Sequence, residues 1–343
     1  MSENSPGAGY FDILSKGLEA KTWRYSQLGI ANAAKNLPFI DKTINELAEE
    51  AAGRTCLVVS GGPSLKRRES LERLKPVIKD FVVVASDGAI GHCLRTGITP
   101  DYIVSVDPDN TRIVRWLGDY NLTPEKLEDD YFRRQDLDAH FNTDEVERNE
   151  EQIRLVNAAG PKIKAALSTS ASPEVRTRCY DSGMDVYWWN PIYDDPSDRN
   201  SATRKLFEAN GVPCMNAGGN VGTSAVVFAA KILGARRVVM VGMDFSYYAD
   251  TPIECTQYYG EFRSFMTDAE IPYAFKTIHN PHLGEDYYTD PAYYWYRESF
   301  LELARHMTGC EVVNATEGGI LFGGNVIWRS VDDVMSVMKK EVA

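Results

Sequence analysis

Short, unbroken apolar runs that each stop at glycine, serine, asparagine or aspartate constrain this chain more than any other feature. They are "CLVVS" from Cys56, "FVVVAS" from Phe81, "DYIVSV" from Asp101, "IKAALS" from Ile163, "MDVYWWN" from Met184, "RRVVMV" from Arg236 and "CEVVNAT" from Cys310. Runs without polar alternation suit strands covered on both faces. Helical spacing of apolar residues fills the gaps between them. The pattern predicts an α/β fold: a Rossmann-like, mostly parallel sheet with helices on both faces. Ligands in such sheets bind beyond the carboxyl ends of the strands. Polar residues fall at those ends, at Gly61–Ser64, Ser86–Asp87, Asp107–Asp109, Ser168–Ser170, Asp244 and Asn314–Gly319. One crevice is therefore expected.

The 343 residues, 43% of them hydrophobic, suffice for one large domain with additions. Residues 1–50 read as a helical lead-in. Residues 51–335 read as the nucleotide-binding domain, with an acidic helical insertion at about 120–155. Within it "EKLEDDYFRRQDLDAHFNTDEVERNEE", Glu125 to Glu151, reads as a solvated face. No apolar run approaches the roughly 20 residues of a membrane span. "MSENSPGAGYFDIL" has neither a basic leader nor an apolar core, so a cytoplasmic protein is expected. Six scattered cysteines without a CxxC pair read as reduced thiols. A net charge of −12 argues against a broad nucleic-acid surface while leaving room for a local nucleotide pocket.

Three motifs carry candidate chemistry. Gly61, Gly62, Pro63 and Ser64 join a strand to a helix, where amides and a hydroxyl can meet phosphate. The alternative is a plain strand-to-helix turn, since neither GxxxxGK[ST] nor GxGxxG is present. Asp87, Asp107 and Asp109 end the next two strands. Asp107 and Asp109 suit Mg²⁺, which takes oxygen ligands and bridges to phosphates, or else they cap turns. Gly218, Gly219 and Thr223 precede or open a small-residue helix, as a second anion site or as tight helix–sheet packing. Asp244, His279 and His282 are candidate bases in or beside a tyrosine-rich stretch, 247–296, expected as a long binding loop or a packed excursion. Trp188 and Trp189 raise the same choice between ligand contact and core.

"GGPSL", "ASDGAIGHCLRTGITPDYIVSVDP", "GGNVGTSAVVFAAKILGARRVVMVGMDFSY" and "NATEGG", in this order and after "NAAKNLPFI", resemble the motility accessory factor family over roughly residues 30–325. That family shares its domain with an archaeal 6-hydroxymethyl-dihydropterin diphosphokinase and is distantly similar to bacterial sialyltransferases. The resemblance implies a glycosyltransferase that moves a nonulosonic sugar from a CMP-activated donor to a protein or glycan hydroxyl. It implies phosphate at Gly61, Gly62, Pro63 and Ser64. Asp87 and Asp107 would flank nucleotide or sugar, Gly218, Gly219, Asn220 and Thr223 would line the crevice, and Glu317, Gly318 and Gly319 would form its far wall. No tightly bound cofactor is implied, and Mg²⁺ is the candidate metal. Ser60-Gly61-Gly62 departs from the usual Gly-Ala-Gly, and Met243 stands where Gln is common. The alternatives are an ATP- and Mg²⁺-dependent diphosphokinase and a non-catalytic nucleotide-binding protein.

Overall fold

The structure, a computed structural model, describes residues 25–128 and 145–342. The first part of the expected lead-in and the middle of the acidic insertion lie outside the described residues. Twelve strands are present among them: β1 Thr55–Val59, β2 Val82–Ser86, β3 Tyr102–Ser105, β4 Lys164–Ser168, β5 Asp185–Pro191, β6 Cys214–Met215, β7 Arg237–Val241, β8 Tyr247–Tyr248, β9 Lys276–Asn280, β10 Glu285–Thr289, β11 Glu311–Asn314 and β12 Ile327–Trp328. Nine form one sheet in the order β12-β11-β7-β1-β2-β3-β4-β5-β6. Every pairing in it is parallel. The α/β expectation holds.

Alternation within each strand divides the core. Leu57, Val59, Val83, Ala85, Ile103, Leu167, Trp188 and Val239 pack one face, with helix residues Leu71, Leu94 and Val175. Cys56, Val58, Val84, Val104, Ala166, Trp189 and Met240 pack the other, with Val226, Phe228 and Phe300. Trp188 and Trp189 are thus both core, one per face. β1 to β6 run outward in sequence order, and the chain then returns to lay β7 on the other side of β1. Strand order reverses there, which makes the β1/β7 ends the topological switch point.

The tyrosine-rich stretch is not a long loop. β8, β10 and β9 form a second, antiparallel sheet in that order, and Tyr258, Phe262, Met266, Ile271, Ala274 and Ala292 form its own small core. The hairpin signal was legible: "KTIHN" and "EDYYT" flank "PHLG", whose Gly284 has φ +68°. The helix Pro291–Arg305 starts ahead of "YRESFLELAR", because Asp290 caps it by accepting from Tyr293 N–H at 2.9 Å.

Candidate active site

At the switch point the sheet is closed by packing. Gly62 N–H donates to the Gly242 carbonyl at 2.8 Å. Ser64 N–H donates to Asp244 Oδ1 at 3.2 Å, and Ser64 Oγ–H to Asp244 Oδ2 at 2.7 Å. A Cβ on Gly62 would lie 2.0 Å from Asp244 Oδ2, so this glycine permits the close approach of the Asp244 carboxyl group. Burial pushes Asp244 from an aspartate's usual 3.8 up to about 7, against the Ser64 hydrogen bonds and the nearby Arg68 and Arg67. These are the groups that the sequence analysis set against a phosphate. The amides of Gly62 and Ser64 are engaged, Ser64 is fully buried, and a phosphate there would abut Asp244.

The residues expected at the far wall also have partners within the fold. Glu317 pairs with Arg73 and accepts from Val331 N–H at 3.0 Å, tying helix Val331–Val342 to the sheet. Gly319, at φ +70°, lies so close that a Cβ would come within 2.1 Å of the Asp244 carbonyl. Gly318 packs on Ser64 and Tyr248, and Asn280 Nδ2 donates to the Gly319 carbonyl at 2.8 Å. Arg68 pairs with Glu285, and the Arg67 guanidinium lies 4.2 Å above the Tyr248 ring. The small sheet therefore packs against the corner that the sequence motifs marked. Its histidines face elsewhere: exposed His279 pairs with Asp286 at 2.7 Å, and His282 stacks on Trp328 at 5.1 Å. Neither they nor Asp244 line the cavity described next.

A cavity of about 630 Å³ opens further along, over the ends of β3 to β6. Asp107, Asp109 and Arg112 line one side; Asn216, Gly218 and Gly219 line the floor ahead of helix Val221–Val227; Tyr258, Glu261, Trp295 and Tyr296 line the opposite wall. Of the residues singled out from sequence, Asp107, Asp109, Gly218 and Gly219 are brought together here. Asn220 and Thr223 stand behind them. Asn220 Oδ1 accepts from Thr223 N–H at 2.9 Å, so the first turn of that helix caps itself. Asp87 sits beneath the rim, buried, accepting from Ser105 Oγ–H and Gly88 N–H at 2.7 Å each. Burial, with a smaller push from Asp107, raises it to about 7.

The acid pair shapes its own loop. Asp107 Oδ1 accepts from Asp109 N–H at 2.9 Å. Asp109 Oδ1 accepts from the N–H groups of Thr111 and Arg112 at 2.8 and 2.7 Å. Arg112 faces Glu261 across the cavity at 3.9 Å. The Tyr25 phenol is pushed far up by burial and by Asp107 and Asp109, so it stays a proton-bearing donor. Asp107, Asp109 and Glu261 against Arg112 leave the walls acidic. Two carboxylates on one turn suit a Mg²⁺ that arrives with a phosphate and keeps waters. Among the described residues no group of three or more His, Cys, Asp or Glu gathers to hold a resident cation.

Residues that the sequence reading missed hold this loop in place. Asn32 and Asn36, one turn apart on helix 25–36, are buried to 2% and 0% exposure. Asn32 Nδ2 donates to the Pro108 and Ser170 carbonyls at 3.0 Å. Asn36 Nδ2 donates to the Thr169 and Ala171 carbonyls at 2.8 Å. Together they close the ends of β3 and β4. A signal existed: two asparagines at i and i+4 among alanines, in "NAAKN".

Residues 31–119 match the family described as 6-hydroxymethylpterin diphosphokinase MptE-like. That segment contains both asparagines, β1 to β3 and the Asp107–Arg112 turn. No curated protein matches the sequence. Among solved structures, the MAf glycosyltransferase from Magnetospirillum magneticum AMB-1 superposes with a TM-score of 0.55 over 93% of this chain, at 15% identity. The chain spans 41% of that protein's length. No helix among the described residues is long and apolar enough to cross a membrane. Both sides of the resemblance read from the sequence are thus present: an MptE-like match at residues 31–119, and the fold of a MAf glycosyltransferase over nearly the whole chain.

Proposed function

We propose that this chain is a transferase that works in the cavity over β3–β6, moving a group from a nucleotide-activated donor. Its favoured form is glycosyl transfer from a CMP-activated nonulosonic sugar to a protein or glycan hydroxyl. The observation that carries the reading is the place of the Asp107–Arg112 turn. It projects from the carboxyl end of a central parallel strand into a cavity walled by tyrosine and tryptophan. In such a transfer the bond between the anomeric carbon and the phosphate oxygen breaks, and CMP leaves with the electron pair. The acceptor oxygen bonds the anomeric carbon and its proton passes to a carboxylate. Asp107 or Asp109 fits the base, and Arg112 fits the leaving phosphate.

The match at residues 31–119 favours a second reading, diphosphoryl transfer from ATP. Mg²⁺ would then neutralise phosphate charge, held by Asp107 and Asp109. Melting curves with CMP, CTP and ATP, each with and without Mg²⁺, separate the two. Stabilisation by CMP or CTP supports glycosyl transfer, a Mg²⁺-dependent ATP shift supports the diphosphokinase, and no shift leaves neither standing. The same curves locate the site. Asp107→Asn should abolish the ligand shift, whereas Ser64→Ala should lower the starting Tm and keep the shift. The reverse pattern would return the nucleotide to the Gly61–Ser64 turn.

A further inference from the structure

Trp295 has no part in the donor chemistry just outlined, yet its side chain is placed with unusual care. It lines the cavity on helix Pro291–Arg305 while remaining 57% exposed. Its inner edge rests against Gly219: a Cβ there would come within 2.6 Å of Trp295 Cζ3. Gly219 also has φ +83°, a backbone that side chains disfavour. Tyr296 stands beside it with ring centres 5.7 Å apart and planes at 64°. The Tyr296 hydroxyl is in turn 2.9 Å from that of Tyr258, so the neighbouring ring is anchored. A wide indole is thus backed on one side and left open toward the cavity.

We propose that Trp295 is a stacking shelf for the apolar face of a neutral pyranose, and that the acceptor bound in this cavity is a glycan and not a bare peptide. The inference deepens the transferase reading and rests on it. An indole matches the C–H face of a sugar ring in area and in lack of charge. The groups around the shelf match the ring's edge. Asp107 and Asp109 come from one wall, Glu261 from another and Asn216 from the floor. Sugar hydroxyls radiate in several directions and need acceptors distributed in this way, whereas a flat heterocycle with two adjacent N–H groups needs one carboxylate at one edge.

The test uses the full chain, labelled with ¹⁵N, and a panel of neutral methyl glycosides. The Trp295 indole N–H signal is assigned by its loss in Trp295→Phe. A glycoside should move that signal saturably, Trp295→Ala should weaken the glycoside about tenfold, and Trp295→Phe should cost about threefold or less. A serine- and threonine-containing peptide, cytidine and a pterin are titrated in parallel. The proposal is overturned if no glycoside moves the signal, if Trp295→Ala binds the glycoside as the wild type does, or if only the peptide or a heterocycle moves it. Nucleotide-induced melting shifts are read on the same variants. Loss of glycoside binding with the nucleotide shift intact assigns the shelf to the acceptor. A missing nucleotide shift in the wild type would instead count against the transferase reading.

Discussion

Two stretches of the same sheet edge meet opposite fates. At β1 and β7, Gly62, Gly318 and Gly319 bring backbone against Asp244 and leave no room. At β3 to β6, Gly218 and Gly219 stand beside a cavity. Glycine at a strand end permits close approach in either case. What differs is the object approached: the protein's own carboxyl group and second sheet at the first, open space walled by aromatic rings at the second. The largest expected effect follows from that contrast. Gly319→Ala would place a Cβ 2.1 Å from a backbone carbonyl that cannot yield, at positive φ. It should cost about 4 kcal/mol or more, or prevent folding. Gly219→Ala, also at positive φ, meets first the Trp295 and Tyr296 side chains, which can shift, and should cost about 1–2 kcal/mol. Urea unfolding of the pair decides; equal losses would erase the distinction.

The two regions also titrate in parallel, which sharpens the comparison. Asp244 in the closed corner and Asp87 under the cavity rim are each raised by burial to about 7. Between an aspartate's usual range and 7 the folded state keeps protons that the unfolded chain has released. Their contribution to stability is therefore fully present in acid and is lost as pH rises through about 7. Asp244→Asn mimics the protonated group. It should flatten this dependence and leave the protein on the order of 2 kcal/mol more stable than wild type at pH 8. Denaturant titrations at pH 5, 6, 7 and 8 read it. A wild type whose stability rises across that window would show that these carboxyls are ionised when folded.

Asn32→Ala tests how the open region is kept open. It removes two hydrogen bonds to the Pro108 and Ser170 carbonyls, for about 1–2 kcal/mol. Hydrogen exchange should speed at residues 106–112 while β1 and β2 keep their protection. Uniform loss across the sheet would make Asn32 merely a part of the core. This residue also illustrates what sequence could and could not convey. Continuous apolar runs specify buried strands locally, so β1–β5, β7 and β11 were legible. Two-residue strands such as β6 and β12 carry too few positions to show a period. Asp107, Asp109, Gly218 and Gly219 were legible as strand-end and helix-start residues, since their chemistry is local. Whether Ser64 faces a ligand or Asp244, 180 positions away, depends on the partner the fold supplies. Trp295 and Glu261, on two helices far apart in sequence from the Asp107–Arg112 turn, reach the cavity through tertiary packing, and no spacing in the chain records that.

The smallest expected effect falls on the hairpin. His279 is the residue type most used for proton transfer near neutral pH, and sequence alone nominates it. Its ring is 61% exposed, its Nδ1 meets Asp286 across the β9–β10 ladder, and it does not line the cavity. An exposed contact of this kind contributes little because water screens it and both side chains lose freedom in forming it. His279→Ala should change stability by about 0.5 kcal/mol or less. It should leave the nucleotide-induced melting shift and glycoside binding unaltered, whereas Asp107→Asn removes the nucleotide shift. If instead the His279 variant lost ligand binding with the fold intact, the second sheet would have to reach the ligand by a movement that this arrangement does not contain. The division between a sealed corner and a working cavity would then describe one state of the protein and not its function.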